Sequence, residues 1–111
     1  MITKENLDSY YKQGVSYKML TRKFEADLPQ FTSYKEVRTF FKDLFGEDFM
    51  LQSSEGEGKD KIYFFTLIHN RPVWEAGIKE LEASGSLTGL EFAMSSQDIQ
   101  IYVDGRIHIV Y

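Results

Sequence analysis

The sequence predicts a small α+β domain with three N-terminal helices, a β-hairpin, a fourth helix and three further strands. Two observations indicate this class. Residues 60–68, DKIYFFTLI, would place apolar side chains on both faces of an extended chain, which is typical of a central strand covered on both sides. Apolar residues on either side of this run recur at helical spacing. We therefore expect a mostly antiparallel sheet of about five strands with helices on both faces.

Length and composition set the class of protein. The 111 residues form one domain of ordinary size, with a helical part at 1–46 and a ββαβββ part at 47–111. The absence of cysteine excludes disulfides, thiolate zinc sites and cysteine nucleophiles. No apolar run approaches a membrane span, and the N-terminus lacks the features of a secretory signal. We expect a cytoplasmic protein without a membrane partner.

Charge is unevenly distributed along the chain. The net charge is −4, yet residues 1–45 hold eight basic and six acidic side chains, whereas residues 46–111 hold five and 11. This balance lacks the strongly basic character of a dedicated nucleic-acid binder. It indicates a mildly basic helical half and an acidic sheet half.

The first two predicted helices rest on capping residues and apolar spacing. Thr3 can cap a helix that runs to Gln13 and buries Leu7, Tyr10 and Tyr11. Ser16 is a second N-cap candidate for a helix ending near Glu25, and the inward residues of that helix would be Tyr17, Leu20 and Phe24.

The third helix carries the clearest start signal in the sequence. Ser33 and Glu36 have the spacing of a capping box. The residues that follow form a wide apolar stripe and end at a glycine: Val37, Phe40, Phe41, Leu44, Phe45 and then Gly46. This pattern predicts a helix over 34–45.

The second half of the chain alternates strand and turn signals. Residues 49–54 and 60–68 are predicted to form a hairpin around the polar turn at 55–59. Asn70 can cap a helix with Pro72 in its first turn, which would bury Trp74, Ile78 and Leu81 and end at Gly85. The remaining predicted strands are residues 87–94, with a bulge or close contact at Gly89, residues 98–103, and residues 106–111.

The last two strands allow a prediction of register. A two-residue turn at Asp104 and Gly105 would mix polar and apolar residues on each face. A three-residue loop at 103–105, with Gly105 left-handed, would pair Ile101 with Ile107 and Ile99 with Ile109. We predict the three-residue loop. The polar face of the hairpin would then carry Gln100, Tyr102, Arg106 and His108.

The N-terminal third offers a DNA-binding alternative. Residues 10–24, YYKQGVSYKMLTRKF, resemble the first two helices of a helix-turn-helix of the transposase or repressor type. The resemblance implies that helix 34–45 reads DNA through Lys35, Arg38 and Lys42, with the hairpin at 49–68 as a wing. The connection at 25–32 is longer than the usual tight turn. The competing interpretation is a plain helical layer over the sheet.

The sequence provides little for catalysis. His69 and His108 are the only side chains suited to act as bases at neutral pH, and neither has a neighbouring nucleophile motif. Glu75, Glu80 and Glu82 share a helix and are expected to be solvated. Residues 56–59, GEGK, lack the Gly-Lys-Ser/Thr half of a phosphate loop and are expected at a hairpin tip. We predict no catalytic residue, cofactor or metal.

The predicted function is non-enzymatic binding to a protein partner as a regulator or inhibitor. Tyrosine and arginine are enriched at binding hot spots, so the partner-binding surface is predicted at Gln100, Tyr102, Arg106 and His108. The edge strand at 106–111 can also accept a partner strand or form a homodimer. A phage or mobile element is the expected source of a small regulator of this kind.

Overall fold

The computed structural model describes residues 1–85 and 90–111 and has the predicted α+β class. Within these residues, four helices accompany one four-stranded antiparallel sheet. The helices are α1 (Arg22–Ala26), α2 (Tyr34–Phe45), α3 (Arg71–Ser84) and α4 (Leu90–Ala93), and the strands are β1 (Phe49–Glu55), β2 (Ile62–Ile68), β3 (Ser96–Tyr102) and β4 (Ile107–Ile109). Short 3-10 helices lie at Leu7–Tyr10, Gly46–Asp48 and Gly58–Asp60.

The strand order is β1-β2-β3-β4, so β2 is an inner strand, as its apolar sequence predicts. The register sorts side chains into cross-strand rows. One row joins Phe65, Ile99 and Ile109, and a second joins Tyr63, Ile101 and Ile107; we call the face that carries them the inner face. The opposite, outer face carries the row of Phe64, Gln100 and His108 and the pair of Ile62 and Tyr102.

The inner face forms the core against α2. The Phe41 ring lies 4.8 Å from that of Phe49, which in turn stacks on Phe65 at 4.2 Å between centroids. All three rings are buried. Near the other end of the interface Tyr34 stacks on Tyr63 at 3.6 Å. Because a buried aromatic ring contributes about 2–3 kcal/mol through area alone, this stack fixes α2 on the sheet.

Helix α2 begins as predicted, with one change in its cap. The Ser33 hydroxyl accepts the Glu36 N–H at 3.3 Å. The Glu36 carboxylate reaches back to the N–H and hydroxyl of Thr32 at 2.7 and 2.6 Å, one residue before the N-cap. These bonds lower the pKa of Glu36, with the Thr32 hydroxyl as the largest cause. The helix ends before Gly46, whose φ is 58°.

The prediction of two helices before α2 is largely wrong. In place of a helix over 3–13, only Leu7–Tyr10 is helical, as a 3-10 turn, and α1 begins at Arg22 rather than after Ser16. The backbone between them pairs with itself instead. The Lys12 N–H donates to the Met19 carbonyl at 2.8 Å and the Thr21 N–H to the Tyr10 carbonyl at 3.0 Å. Tyr11 and Leu20 form an isolated antiparallel bridge, and we call residues 10–21 the ribbon.

The predicted strand at 87–94 is also wrong where it is described. Leu90–Ala93 is a helix, and residues 87–89, including Gly89, lie outside the described residues. Helix α4 packs through Phe92 directly on the backbone of Gly77 in α3, where a Cβ would lie 1.9 Å from the Phe92 ring. This apolar segment therefore packs as a helix against α3 instead of pairing as a strand. The described sheet has four strands instead of about five.

The outer-face side chains of β2 are buried at one end of the strand and half-buried towards the other. Thr66 and Ile68 are buried near α3, whereas Phe64 and Gln100 are half-buried and His108 is exposed. The predicted helical cover on both faces is therefore not found at the end of the sheet that carries Phe64. This difference leaves an aromatic strand face accessible to solvent.

The final hairpin has the predicted three-residue loop. Ile101 pairs with Ile107 and Ile99 with Ile109. Gly105 has a φ of 93°, and a Cβ on it would lie 2.6 Å from the Phe31 carbonyl oxygen. Glycine is therefore required both by the turn and by the close approach of the chain before α2.

Helix α3 has its predicted ends. The Asn70 side chain accepts the Val73 N–H at 3.3 Å, and Gly85, with a φ of 72°, follows the last turn. Arg71 joins this helix to the segment before β1 through Asp48 at 2.9 Å. No helix in the described part of the chain combines the length and apolar character that a membrane crossing requires.

Replacing Phe41 by alanine tests the aromatic stack. Because the ring is fully buried between α2 and the sheet, Phe41→Ala should lower the free energy of unfolding by about 3–5 kcal/mol in urea denaturation followed by circular dichroism. Leu51→Ala, at a side chain that is 51% exposed, is the matched control and should change it by less than about 0.5 kcal/mol. Equal losses in the two variants would contradict the packing described.

Candidate functional site

The four residues predicted to bind a partner lie together on the outer face. Gln100 pairs with His108 across β3 and β4. The Arg106 guanidinium lies 4.7 Å from the ring centroid of Tyr102, one row further along. The structure therefore brings together all four residues, as the register of the hairpin predicts. Strand β4 lies at the edge of the sheet, as predicted, and its use in a homodimer remains a prediction.

The patch continues onto β2 and β1, which the sequence prediction omitted. Phe64 and Ile62 stand beside Gln100 and Tyr102 and are half-buried. A shallow cleft of about 230 Å³ lies on this face, and the side chains around it are Gln52, Ser53, Glu55, Phe64, Thr66, Asp98 and Gln100. We define the outer patch as Ile62, Phe64, Gln100, Tyr102, Arg106 and His108.

The electrostatic character of the outer patch is acidic at its rim. Arg106 is held by Asp104 at 2.8 Å, so its charge is largely offset. The N–H of Arg106 and then its side chain lower the pKa of Asp104, which therefore stays ionised. Glu55 and Asp98 are exposed beside the cleft, and no ion pair within the described residues involves either. The aromatic centre of the patch is thus flanked by two free carboxylates.

A second polar site is centred on the buried side chain of Gln97 in β3. Its Oε1 accepts the Leu20 N–H at 2.7 Å and lies 2.7 Å from His69 Nε2. Its Nε2 donates to the carbonyls of Leu20 and Val110 at 3.4 and 3.2 Å. One amide therefore joins the ribbon, β3 and the C-terminal segment.

This network fixes the tautomer of His69. Since Gln97 Oε1 can only accept, Nε2 of the imidazole carries the proton and Nδ1 is the acceptor. Within the described residues no donor contacts Nδ1, and no unpartnered side-chain atom is fully shielded from solvent. Burial lowers the pKa of His69, opposed in part by Gln97. His69 is therefore a neutral, oriented hydrogen-bond acceptor with access to water.

His69 lines a groove of about 590 Å³ between the ribbon and helices α3 and α4. Its volume is in the range of about 300–1,000 Å³ typical of small-ligand sites. The lining residues are Ser16, Tyr17, Lys18, His69, Asn70, Val73, Leu90, Glu91, Met94 and Ser95. The Tyr11 ring meets the imidazole edge-on at 5.7 Å, and burial raises the pKa of Tyr11 to about 12.

The other residues considered for chemistry are placed apart. Glu75 accepts from Arg71 at 3.3 Å, and Glu80 and Glu82 are exposed on α3. The GEGK segment at 56–59 lies in the turn between β1 and β2, as predicted, and its residues are exposed. In the described part of the chain, no three metal-ligating side chains come together.

The basic residues of α2 are only partly available. Lys35 and Arg38 are exposed, whereas the Lys42 ammonium donates to the Phe49 carbonyl at 2.6 Å. The helix-turn-helix interpretation is wrong, since residues 10–21 form the ribbon rather than two helices. DNA binding by Lys35, Arg38 and Lys42 therefore loses the framework that the resemblance implied, and it stays a prediction of the sequence alone.

Comparisons of this chain with protein-family models, with curated proteins and with solved structures gave no match.

The pH dependence of stability tests the state of His69. Because its pKa is lower in the folded chain than the ordinary 6.5, the unfolded chain binds a proton more readily. The free energy of unfolding should fall as the pH drops below about 6.5, with a contribution from His69 of up to about 1.4 kcal/mol per pH unit. His69→Gln should remove this contribution in denaturation curves at pH 5–7.5. His108→Gln, at an exposed imidazole, should keep the wild-type slope; identical slopes in all three proteins would refute the assignment.

Proposed function

We propose that the protein is a non-enzymatic binding module that engages a protein partner through the outer patch. The observation that carries this proposal is the aromatic strand face, with Phe64 and Tyr102 half-buried and exposed His108 beside them. Apolar and aromatic side chains that lie together on an open surface often mark a site of protein interaction. A partner surface that covered them would gain apolar burial without any rearrangement of the sheet.

The charge of the patch supports a basic partner. Glu55 and Asp98 flank the cleft, and Phe64 forms part of its floor. An arginine or lysine of the partner that entered this cleft would meet a carboxylate on either side and an aromatic ring below. Residues 46–111 also carry a net negative charge, which would speed association with a basic surface.

Such a module would act by covering part of its partner's surface, and we therefore propose a regulator or inhibitor. The patch consists mainly of strand residues, so its side chains are held by the backbone ladder and lose little freedom on binding. We also propose a phage or mobile element as the source, because small regulators of this kind are expected there.

Two substitutions on the outer face test this proposal. Tyr102→Ala removes the central ring and should weaken binding to a captured protein at least tenfold, which is about 1.4 kcal/mol at a hot spot. Asp98→Lys should weaken it similarly, because a basic partner would then be repelled. The measurement is affinity capture of proteins from extracts of the source cells, followed by titration of the captured protein, with folding checked by circular dichroism.

Asp43→Lys supplies the matched control, since Asp43 is an exposed carboxylate on α2, away from the sheet face. It should leave binding unchanged within twofold. The proposal fails if the wild-type protein captures nothing, or if all three variants bind as the wild type does.

A further inference from the structure

The basic charge of the chain is concentrated in one short stretch. Residues 10–23, which comprise the ribbon and the first two residues of α1, hold four basic and no acidic side chains. The other 97 residues hold nine basic and 17 acidic side chains, a net charge of −8. Lys12, Lys18, Arg22 and Lys23 are all exposed. A stretch of chain with four cations and no carboxylate, in an otherwise acidic protein, is the part that a polyanion would contact.

These cations stand on an ordered support. The ribbon is closed by the bond from the Lys12 N–H to the Met19 carbonyl, and Leu20 is anchored on both backbone groups by buried Gln97. A ligand would therefore not have to order the segment when it binds, and the entropic cost of binding is lower than for a flexible basic tail.

Aromatic rings are interleaved with the charges. Lys18 Nζ lies 5.3 Å from the ring centroid of Tyr11, and Lys12 Nζ lies 6.0 Å from that of Tyr17. Both rings are half-buried, so part of each is open to solvent. Aromatic faces beside lysines are the combination with which proteins hold single-stranded nucleic acid, through base stacking and phosphate contacts.

The groove of about 590 Å³ opens on the same ribbon. Tyr17 and Lys18 of the ribbon line it together with Val73, Met94 and His69, whose Nδ1 has no donor among the described residues. Glu91 is the one acidic residue among those that line it. The shape suits a flat apolar group with an N–H donor on its edge.

We propose that the ribbon and this groove form a binding site for single-stranded nucleic acid, with one unpaired base in the groove and the neighbouring phosphates along Lys12 and Lys18. The base would stack on Tyr17 and donate a ring or amino N–H to His69 Nδ1. A carboxylate of an acidic protein has no proton to give to Nδ1, so the acceptor favours a base. A duplex keeps its bases stacked and paired, so one base would have to leave the stack, at a cost in free energy, before it could enter the groove. This site is separate from the outer patch, and the inference goes beyond the proposed function.

Fluorescence anisotropy with a fluorescein-labelled twelve-nucleotide thymidine strand in 50 mM NaCl tests the proposal. Thymine carries the ring N–H that His69 requires. We expect binding that weakens with salt, with a log–log slope of about −0.7 for each phosphate contacted. The double variant Lys12→Glu/Lys18→Glu should weaken binding at least tenfold, and Tyr17→Ala about fivefold or more, as expected for loss of one stacked base.

Controls separate this site from the other surfaces. Lys35→Glu/Arg38→Glu makes the same change in charge on α2, and Tyr102→Ala alters the outer patch; both should bind the strand as the wild type does. The proposal is overturned if the wild type shows no binding at 100 µM protein, or if a twelve-base-pair duplex binds as tightly. It is also overturned if a poly-glutamate peptide displaces the strand at equal concentration, or if the α2 variant loses as much affinity as the ribbon variant.

Discussion

The stack of Phe41 on Phe49 and of Phe49 on Phe65 is the interaction on which the rest of the structure depends. Centroid distances of 4.8 and 4.2 Å join α2, β1 and β2 through three buried rings. Helix α2 packs on the inner face through Phe41 and Tyr34. On the outer face, Phe64 and Tyr102 are half-buried.

A second constraint is polar. Gln97 satisfies both backbone groups of Leu20, the carbonyl of Val110 and the Nε2–H of His69 from one buried amide. The bonds to Leu20 are buried, and an unpaired buried backbone group would cost about 1–3 kcal/mol. The amide therefore holds the ribbon against the sheet and sets the tautomer of His69. The aromatic stack and the amide lie in neighbouring rows of the inner face, since Phe49, Leu67 and Gln97 share one row.

Local signals explain what could be predicted from the sequence. Three features each specify one structure without distant contacts: the apolar run of β2, the caps at Ser33 and Asn70, and the alternation of isoleucines in the last hairpin. The register of that hairpin also placed the four predicted patch residues on one face. Tertiary pairing decided the rest. Leu7, Tyr10 and Tyr11 have helical spacing, yet Tyr10 and Lys12 pair with the chain near Leu20. Gln97 lies between Ser96 and Asp98, outside the predicted strand at 98–103, and only its phase with Ile99 and Ile101 places it on the buried face.

We propose that packing on the inner face leaves the outer patch as the surface that meets a protein partner. Photo-crosslinking tests this most directly, with p-benzoylphenylalanine placed in turn at His108 on the outer face, at Lys35 on α2 and at Lys12 on the ribbon, three exposed positions. In extracts of the source cells, the account predicts a crosslinked protein from position 108 and none from position 35 or 12. Crosslinks to protein from position 35 or 12 with none from position 108 would contradict it.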